Sequence, residues 1–330
     1  MLRGGLAGPR PERLSGTIFR PALRQRASGT NTTPPDWAGW ARITARFPLA
    51  RRSFRKVYGR LGDLEVRLAV STRDLHLVQR LRYRVFYEEM SAVADDVATR
   101  RRRDVDAFDD ICDHLLVLDH GAPRRATSGR HFKPMRVVGT YRLLRQSVAE
   151  ATRGFYTQAE FDIAPLLTRK HDYTFLELGR SCVLEPYRNK RTVELLWHGL
   201  WTYAREHGID VMIGCASFEG TDPDAHAMAL SFLYHTALAP ADWRVRAHDA
   251  AFRPMNSIAK DQLDLKAALK AIPPLIKGYL RLGAYVGDGA VVDPQFRTTD
   301  VCIILPVEKI DPRYFAHFGQ PEEKGSRVAR

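Results

Sequence analysis

Cysteine is scarce in this chain of 330 residues, which has four thiols far apart in sequence: Cys112, Cys182, Cys215 and Cys302. No two of them form a C-x-x-C pair, and this spacing argues against a disulfide framework or a cysteine-rich zinc site. We expect buried thiols in a reducing compartment. Metal-ligand spacing with acids or cysteines is also missing around His114, His198, His226 and His235, so no metal site is predicted.

Long apolar runs are missing as well. None reaches the roughly 18 residues that a membrane-spanning helix needs. The best stretch, around residues 225–239, is interrupted by His226, Ser231 and His235. The sequence therefore predicts a protein that is soluble or bound at a membrane surface.

Acidic residues are nearly absent from the first 60 positions, which hold thirteen basic residues but only Glu12 and Asp36 as acids. This segment therefore carries +11 of the formal charge of +13, and the rest of the chain is almost neutral. A nucleic-acid-binding protein usually spreads positive charge over a folded face. The distribution predicts a near-neutral domain with a basic arm, and no nucleic acid as partner.

Composition divides the chain into four parts. Residues 1–35 are rich in Arg, Pro and Gly and are predicted to be a disordered basic arm. Residues 36–60 form a basic amphipathic segment with two tryptophans, which Pro48 splits into two short helices. Residues 61–318 form the folded domain, and residues 319–330 a flexible tail. Trp and Arg suit an anionic membrane surface; alternatively, the segment packs its aromatics on the domain.

Hydrophobic periodicity predicts an α/β (α+β) domain. Ser71 or Thr72 is placed to begin a helix after a strand over residues 64–70. Residues 91–107 are predicted as a long loop and residues 287–289 as a turn. Hairpin-linked strands followed by β-α units imply a mixed sheet flanked by helices. The other predicted strands cover residues 114–118, 136–144, 174–184, 210–217 and 299–306, and the other helices cover 192–207, 222–235 and 273–282.

The most informative stretch, residues 175–197, is typical of a strand, a polar turn and a helix. Arg188, Lys190 and Arg191 bring three cations to the beginning of the helix, where backbone N–H groups also favour an anion. The alternative is a basic loop that only caps an ordinary β-α unit. Glu177 on the preceding strand favours a functional site.

This stretch resembles the loop of the GNAT acyltransferases, in which R-x-x-G-x-G/A holds the pyrophosphate of an acyl carrier. Arg188 keeps the first position, but Arg191 and Val193 replace the two small residues. This departure favours the single phosphodiester of 4′-phosphopantetheine, as on acyl-carrier protein (acyl-ACP), over coenzyme A. The resemblance implies a GNAT-like sheet with a C-terminal elaboration. It also implies these carrier-binding residues: Cys182, Val183, Leu184, Arg188, Asn189, Lys190, Arg191 and Thr192.

Two families are similar over more of the chain. R-V-F at 84–86, D-V-D-A-F-D at 104–109, V-G-T-Y-R at 138–142 and E-L-G-R at 177–180 resemble acyl-homoserine-lactone synthases. The characteristic early Trp of those enzymes is not evident. The fuller resemblance, over about residues 60–318, is to the hemolysin-like L-ornithine Nα-acyltransferases of bacterial ornithine-lipid synthesis. It rests on C-D-H-L-L-V (112–117), K-R-T-V-E-L-L-W (190–197), I-P-P-L-I-K-G-Y-L-R-L-G-A (272–284) and V-G-D-G-A-V-V-D (286–293).

The resemblance to the L-ornithine Nα-acyltransferases implies that a 3-hydroxyacyl chain passes from acyl-ACP to the α-amine of L-ornithine, giving lyso-ornithine lipid. It implies no bound cofactor, and a cytoplasmic location at the inner face of the bacterial membrane. An ammonium cannot attack a thioester, so a base must first take its proton. Glu177 is the predicted catalytic residue, and its alternative role is a buried pair with Arg142 or Arg180.

The amino-acid substrate also needs charged partners. An arginine suits its carboxylate, and an acid suits its side-chain ammonium. Each of these side chains has a structural ion pair as its alternative role, and Cys182 and Cys215 are not expected to be nucleophiles because no histidine partner is evident. The predicted substrate-binding residues are Arg84, Arg142, Arg180, Asp106, Asp109 and Asp113.

Two other functions stay open at this point. An acyl-homoserine-lactone synthase would use S-adenosylmethionine as its amino-acid substrate. A membrane-binding or lytic protein would need no catalysis, as the hemolysin label of relatives suggests. Under the leading hypothesis the partners are acyl-carrier protein, L-ornithine and an anionic membrane surface.

Overall fold

The computed structural model describes residues 56–121 and 136–311, which form a mixed sheet flanked by helices. The strands are β1 (Val57–Leu61), β2 (Leu64–Leu68), β3 (Asp113–Asp119), β4 (Arg136–Arg145), β5 (Phe161–Asp162), β6 (Phe175–Val183), β7 (Val211–Glu219), β8 (Arg246–Ala247), β9 (Tyr285–Asp293) and β10 (Thr298–Pro306). The α-helices are α1 (Thr72–Tyr83), α2 (Asp96–Arg101), α3 (Gln146–Ala151), α4 (Ala164–Arg169), α5 (Lys190–Glu206), α6 (Ala227–Ala237), α7 (Leu265–Ala271) and α8 (Pro274–Arg281).

The strand order is β1-β2-β3-β4-β6-β7-β10-β9-β8-β5. Pairing is parallel between β6 and β7 and between β8 and β9, and antiparallel elsewhere. The mixed sheet predicted from the order of elements is therefore confirmed. Two buried apolar clusters pack against it, one including Leu195 and Leu200 of α5 and the other including Phe161 and Trp243.

Side-chain caps mark the beginnings of two important helices, of which the Ser71 cap was predicted from the sequence. Ser71 begins α1, where its hydroxyl accepts a hydrogen bond from the Asp74 amide at 3.1 Å. Asn189 begins α5 in the same way, with its side-chain oxygen accepting from the Thr192 amide at 3.2 Å. Gly199 lets α5 lie close to the sheet, because a Cβ there would come within 2.6 Å of a Val66 methyl group.

Three sequence predictions were wrong. Residues 57–61, assigned to the amphipathic segment, form β1, because pairing with β2 overrides helical periodicity. The predicted loop over 91–107 contains α2, which Asp95 caps through the Ala98 amide. The predicted turn at 287–289 lies inside β9, where Gly289 has a φ of +88° and its Cβ position would collide with Phe252.

The predicted basic arm, residues 36–55 of the amphipathic segment and the predicted C-terminal tail lie outside the described residues. Within residues 56–121 and 136–311, no helix combines the length and apolar character of a membrane span.

Strands β6 and β7 diverge partway along their length, and this divergence creates the main cavity. Their parallel pairing covers Phe175, Leu176 and Glu177 and stops there. A bulge on β6 follows, where Arg180 has a φ of +48° and the register with β4 shifts opposite Tyr141. A bulge bends a strand and increases its local twist. The two carboxyl-terminal halves therefore separate, and side chains of both line the space between them.

Candidate active site

A cavity of about 520 Å³ lies between the diverging halves of β6 and β7. Such a volume lies within the range of known small-molecule sites. Its walls differ in chemistry, so one end suits an aliphatic chain and the other a charged group. The apolar wall includes Val85, Phe86, Tyr141, Leu178, Leu275 and Tyr279. The polar wall includes Tyr156, Glu177, Arg180, Ser217, Asp293 and Asp300.

Glu177, the predicted catalytic residue, lies in the polar wall with only 5% of its surface exposed. One carboxylate oxygen accepts the Thr157 amide at 2.6 Å, and the other accepts the Tyr156 amide at 2.8 Å. Its oxygens thus bind backbone amides rather than Arg142 or Arg180. Burial raises the pKa of Glu177 above its usual value, although these hydrogen bonds oppose the shift. A raised pKa suits a base that works near neutrality.

Most of the predicted substrate-binding residues come together, but they bind one another. Asp106 accepts hydrogen bonds from Arg142 at 2.6 and 2.7 Å and from Arg180 at 2.9 Å. Arg142 donates a third hydrogen bond, to Asp109, at 3.2 Å. Asp106, Asp109, Arg142 and Arg180 therefore form structural ion pairs with one another, which was the alternative role predicted for them. Arg142 and Arg180 still face the cavity, where they form part of its wall.

Sequence reasoning missed two members of this network, Arg82 and Asp104. Arg82 is fully buried and binds Asp104 at 2.7 Å and both oxygens of Asp109 at 2.8 Å. These carboxylates raise the pKa of Arg82, although burial opposes the shift. For Asp109, the neighbouring arginines outweigh burial and hold its pKa well below the usual range. Asp104 lay within the D-V-D-A-F-D motif but was not assigned a role.

Arg180 lines the cavity and has a left-handed backbone conformation. Its guanidinium lies between two aromatic rings, 4.9 Å from the centroid of Tyr156 and 4.5 Å from that of Phe296. Ion pairs to Asp104 and Asp106 hold the other side of the same group. These contacts offset the cost of a left-handed backbone at a residue with a side chain. Arg180 therefore fixes the bulge that opens the cavity.

Arg84 and Asp113 are not among the residues that line the cavity. Half of the Arg84 side chain is exposed, and it pairs with Glu89 at 3.3 Å. Asp113 accepts a hydrogen bond from the Tyr203 hydroxyl at 2.6 Å and lies 3.6 Å from Arg145. Asp113 thus makes its contacts outside the cavity, whereas Arg84 is linked to the cavity through Glu89, which lines it.

The predicted carrier loop lies at the rim of the cavity. Arg188 donates to the Val183 carbonyl at 2.9 Å and to Glu89 at 2.6 Å. Lys190 is largely exposed, with Glu194 at 3.4 Å, and Arg191 is also exposed. Asn189 and Thr192 are occupied in capping α5. The loop therefore offers two exposed cations and a third that reaches the cavity edge.

The last residues of β6 differ in which edge their amides face. The Leu184 amide donates to the Val138 carbonyl at 2.9 Å, so it is used within the sheet. Because bonding alternates along an antiparallel ladder, the Val183 amide faces the opposite edge, towards β7 and the cavity. Cys182 is buried, and burial raises the pKa of its thiol to about 12. Burial also raises the pKa of the Cys215 thiol. Neither Cys182 nor Cys215 is therefore suited to be a nucleophile.

A cluster of three acids at the polar end of the cavity also escaped sequence reasoning. One oxygen each of Glu160, Asp293 and Asp300 lies within 4.8 Å of the others, a spacing at which a metal ion could bind. Burial and the Asp300 charge raise the pKa of Glu160 to about 7, and burial raises the pKa of Asp300 to about 6. Asp293 and Asp300 lie on the paired strands β9 and β10, but Glu160 is more than 130 positions away in the sequence, and the three share no common motif.

Comparison with known proteins agrees with this architecture. Residues 81–198 match the acetyltransferase (GNAT) domain family. The chain is 54% identical over 263 residues to an L-ornithine N(alpha)-acyltransferase of Rhizobium meliloti (strain 1021), covering 80% of this chain and 86% of that protein. It is 52% identical over 268 residues to one of Agrobacterium fabrum (strain C58 / ATCC 33970), covering 81% and 89%.

Among solved structures, an N-acyl amino acid synthase from uncultured soil microbes aligns with a TM-score of 0.41 at 10% identity, covering 74% of this chain and 92% of that chain. The sequence matches carry the assignment: they confirm the predicted GNAT fold and an acyltransferase activity. With more than half of its residues identical over four fifths of its length, the chain belongs to the L-ornithine N(alpha)-acyltransferase family.

Proposed function

We propose that this enzyme transfers a 3-hydroxyacyl chain from acyl-carrier protein to the α-amine of L-ornithine and so makes lyso-ornithine lipid. One observation carries the proposal: the cavity between β6 and β7 joins an apolar wall to a charged wall that contains Glu177. Such a cavity accommodates an acyl chain and an amino acid at the same time. The names of the relatives support ornithine as the acceptor.

The chemistry requires two proton transfers. One proton of the α-ammonium passes to Glu177, directly or through water, and leaves a neutral amine. The amine nitrogen attacks the thioester carbon and forms the new C–N bond. Collapse of the tetrahedral intermediate breaks the C–S bond. One of the two protons left on nitrogen goes to the departing thiolate of the carrier, the other stays in the amide, and Glu177 releases its proton to solvent. Atoms and charge balance without a cofactor.

The negative oxygen of the intermediate needs a hydrogen-bond donor near the thioester. The Val183 amide is the best donor, because it faces the cavity at the edge where the carrier loop begins. Its position does not depend on a flexible side chain. The pantetheine arm would then run along β6, as a strand-like extension of the sheet.

Acyl-carrier protein is the proposed donor because the loop is both crowded and basic. Arg191 and Val193 stand where the GNAT pattern has small residues, which disfavours a pyrophosphate. Lys190 and Arg191 are exposed at the beginning of α5, where they would attract an acidic carrier protein.

The reaction can be tested with purified chain, a 3-hydroxyacyl-ACP and either L-ornithine or S-adenosylmethionine. We expect free carrier thiol to form only with ornithine, together with a product of the mass of N-acylornithine. Acyl-ACP should have a higher kcat/KM than the matching acyl-coenzyme A. A homoserine lactone product, or no thiol release with any acceptor, would contradict the proposal.

Membrane binding is proposed for the N-terminal basic segment, which lies outside the described residues. Removing residues 1–55 should weaken binding to anionic vesicles by at least about tenfold, since each basic group near the surface contributes ~1 kcal/mol. Turnover of soluble substrates should persist, because β1 begins at Val57 and stays intact. Removal of residues 1–35 alone is the matched control, and vesicle binding that survives the longer deletion would place the contact elsewhere.

A further inference from the structure

Three carboxyl groups, two from the paired strands β9 and β10 and one from a distant part of the chain, meet at the polar end of the cavity. Glu160 follows the short turn that binds Glu177, Asp293 ends β9, and Asp300 lies on β10. Ligand atoms of all three lie within 4.8 Å of one another. Asp293 and Asp300 line the cavity itself.

The cluster contains buried oxygens without a partner. Asp300 is only 6% exposed, and its Oδ1 has no hydrogen-bond partner among the described residues. The same is true of Oε2 of Glu160. A buried carboxylate oxygen that lacks a donor is costly. Because Asp300 lines the cavity, its unpartnered oxygen points to a ligand that supplies hydrogen bonds.

Nearby arginines do not neutralise the cluster. Arg142 and Arg180 also face the cavity, but their ion pairs are made with Asp104, Asp106 and Asp109. Within residues 56–121 and 136–311, none of the observed salt bridges involves Glu160, Asp293 or Asp300. The missing partner should therefore be a cation with several hydrogen-bond donors.

An alkylammonium group has three N–H donors in a tetrahedral arrangement. Three carboxylates from three different elements can each accept one of them. We propose that Glu160, Asp293 and Asp300 bind the side-chain ammonium of the diamino-acid substrate and thereby select ornithine over amino acids with neutral side chains. This inference rests on the proposed function and extends it to substrate selection.

The cluster is also linked to the proposed base. The amides of Tyr156 and Thr157 bind Glu177, and Glu160 lies three residues further along the same turn. Cys215 bridges the two groups, with its sulfur 3.8 Å from the Thr157 hydroxyl. An ammonium held at the cluster therefore places the other end of the amino acid near Glu177, and the length of the side chain becomes a selection criterion.

The decisive comparison uses L-norvaline, which has the carbon skeleton of ornithine without the side-chain amine. With wild-type enzyme, kcat/KM for ornithine should exceed that for norvaline by at least about 100-fold, because the buried acids would lose their partner. Asp300→Asn and Glu160→Gln should each lower kcat/KM for ornithine and leave norvaline little changed. The ratio between the two substrates should fall by about tenfold or more.

Asp288→Asn is the matched control, since this acid lies on β9 with Arg246 as its partner at 2.9 Å and does not line the cavity. It should preserve the ratio. Equal use of both substrates by wild type, or equal losses for both in Asp300→Asn, would overturn the ammonium site. The wild-type comparison holds even where a variant fails to fold.

A divalent metal is the competing occupant of such a cluster. Turnover should persist in excess EDTA; a loss that Mg²⁺ or Mn²⁺ restores would overturn the ammonium site in favour of a metal. If wild type acylates both ornithine and norvaline equally, the ammonium site fails and the acyltransferase proposal stands. If it acylates neither from any donor, both proposals fail.

Discussion

Arg82→Met should destabilise the fold more than any other single change considered for this protein. Asp104 and Asp109 would remain buried without the guanidinium that binds three of their carboxylate oxygens and the Asp104 carbonyl. Breaking one side of a buried ion pair typically costs ~3–5 kcal/mol, because an uncompensated charge stays in the interior. Chemical denaturation, followed by circular dichroism, measures the loss in free energy of unfolding.

Arg84→Met is the matched control for this change. Arg84 lies two residues further along the chain, but its side chain is half exposed and pairs only with Glu89 at 3.3 Å among the residues described. An exposed pair contributes ~0–1 kcal/mol, so this variant should stay close to wild type. Similar stability losses in the two variants would contradict the view that the buried network braces the cavity wall.

Glu177→Gln should lower kcat by about 100-fold or more, the range in which general-base groups usually contribute. The amide keeps the size of the side chain but cannot accept a proton. It also turns an N–H group towards one of the two backbone amides that Glu177 binds. Some loss of stability is therefore expected together with the loss of turnover.

The pH profile separates catalysis from positioning. Burial raises the pKa of Glu177, so the base is protonated and inactive at low pH, and kcat should rise as the pH rises through that pKa. Glu177→Gln should lose this rise. A variant that is slower but keeps the wild-type profile would reduce Glu177 to a residue that positions the Tyr156–Ala159 turn. Glu185→Gln, an exposed acid in the segment that follows β6, is the control and should behave like wild type.

The sequence predicted the parts of the fold that local signals determine. Ser71 is a cap that works within three residues, so the beginning of α1 could be placed without any tertiary information. Helix α5 begins at Lys190, two residues before its predicted start. The apolar runs of β3 and β4 could be recognised as strands because these strands are buried along almost their whole length in the sheet. The loop-helix at 188–197 was recognisable because its cations are adjacent in the chain.

The features of the site that could not be predicted from the sequence depend on contacts between residues that are distant in the chain. Arg180 opens the cavity through a left-handed backbone that only the surrounding ion pairs and rings can hold. Asp106 and Arg142 were expected to bind substrate, but each has the other as its first partner. In the sequence, nothing distinguishes Asp300 from other strand residues. Only the fold brings Asp293 of β9 and Glu160, which precedes β5, close to it.

The most direct test of the central claim is the position of the acyl group in the product made from acyl-ACP and ornithine. Tandem mass spectrometry distinguishes acylation of the α-nitrogen from acylation of the side-chain nitrogen. If the acids at the polar end hold the side-chain ammonium while Glu177 deprotonates the other amine, the acyl group must lie on the α-nitrogen. A product acylated on the side-chain nitrogen, or a mixture of the two, would contradict the proposed arrangement of substrates in the cavity.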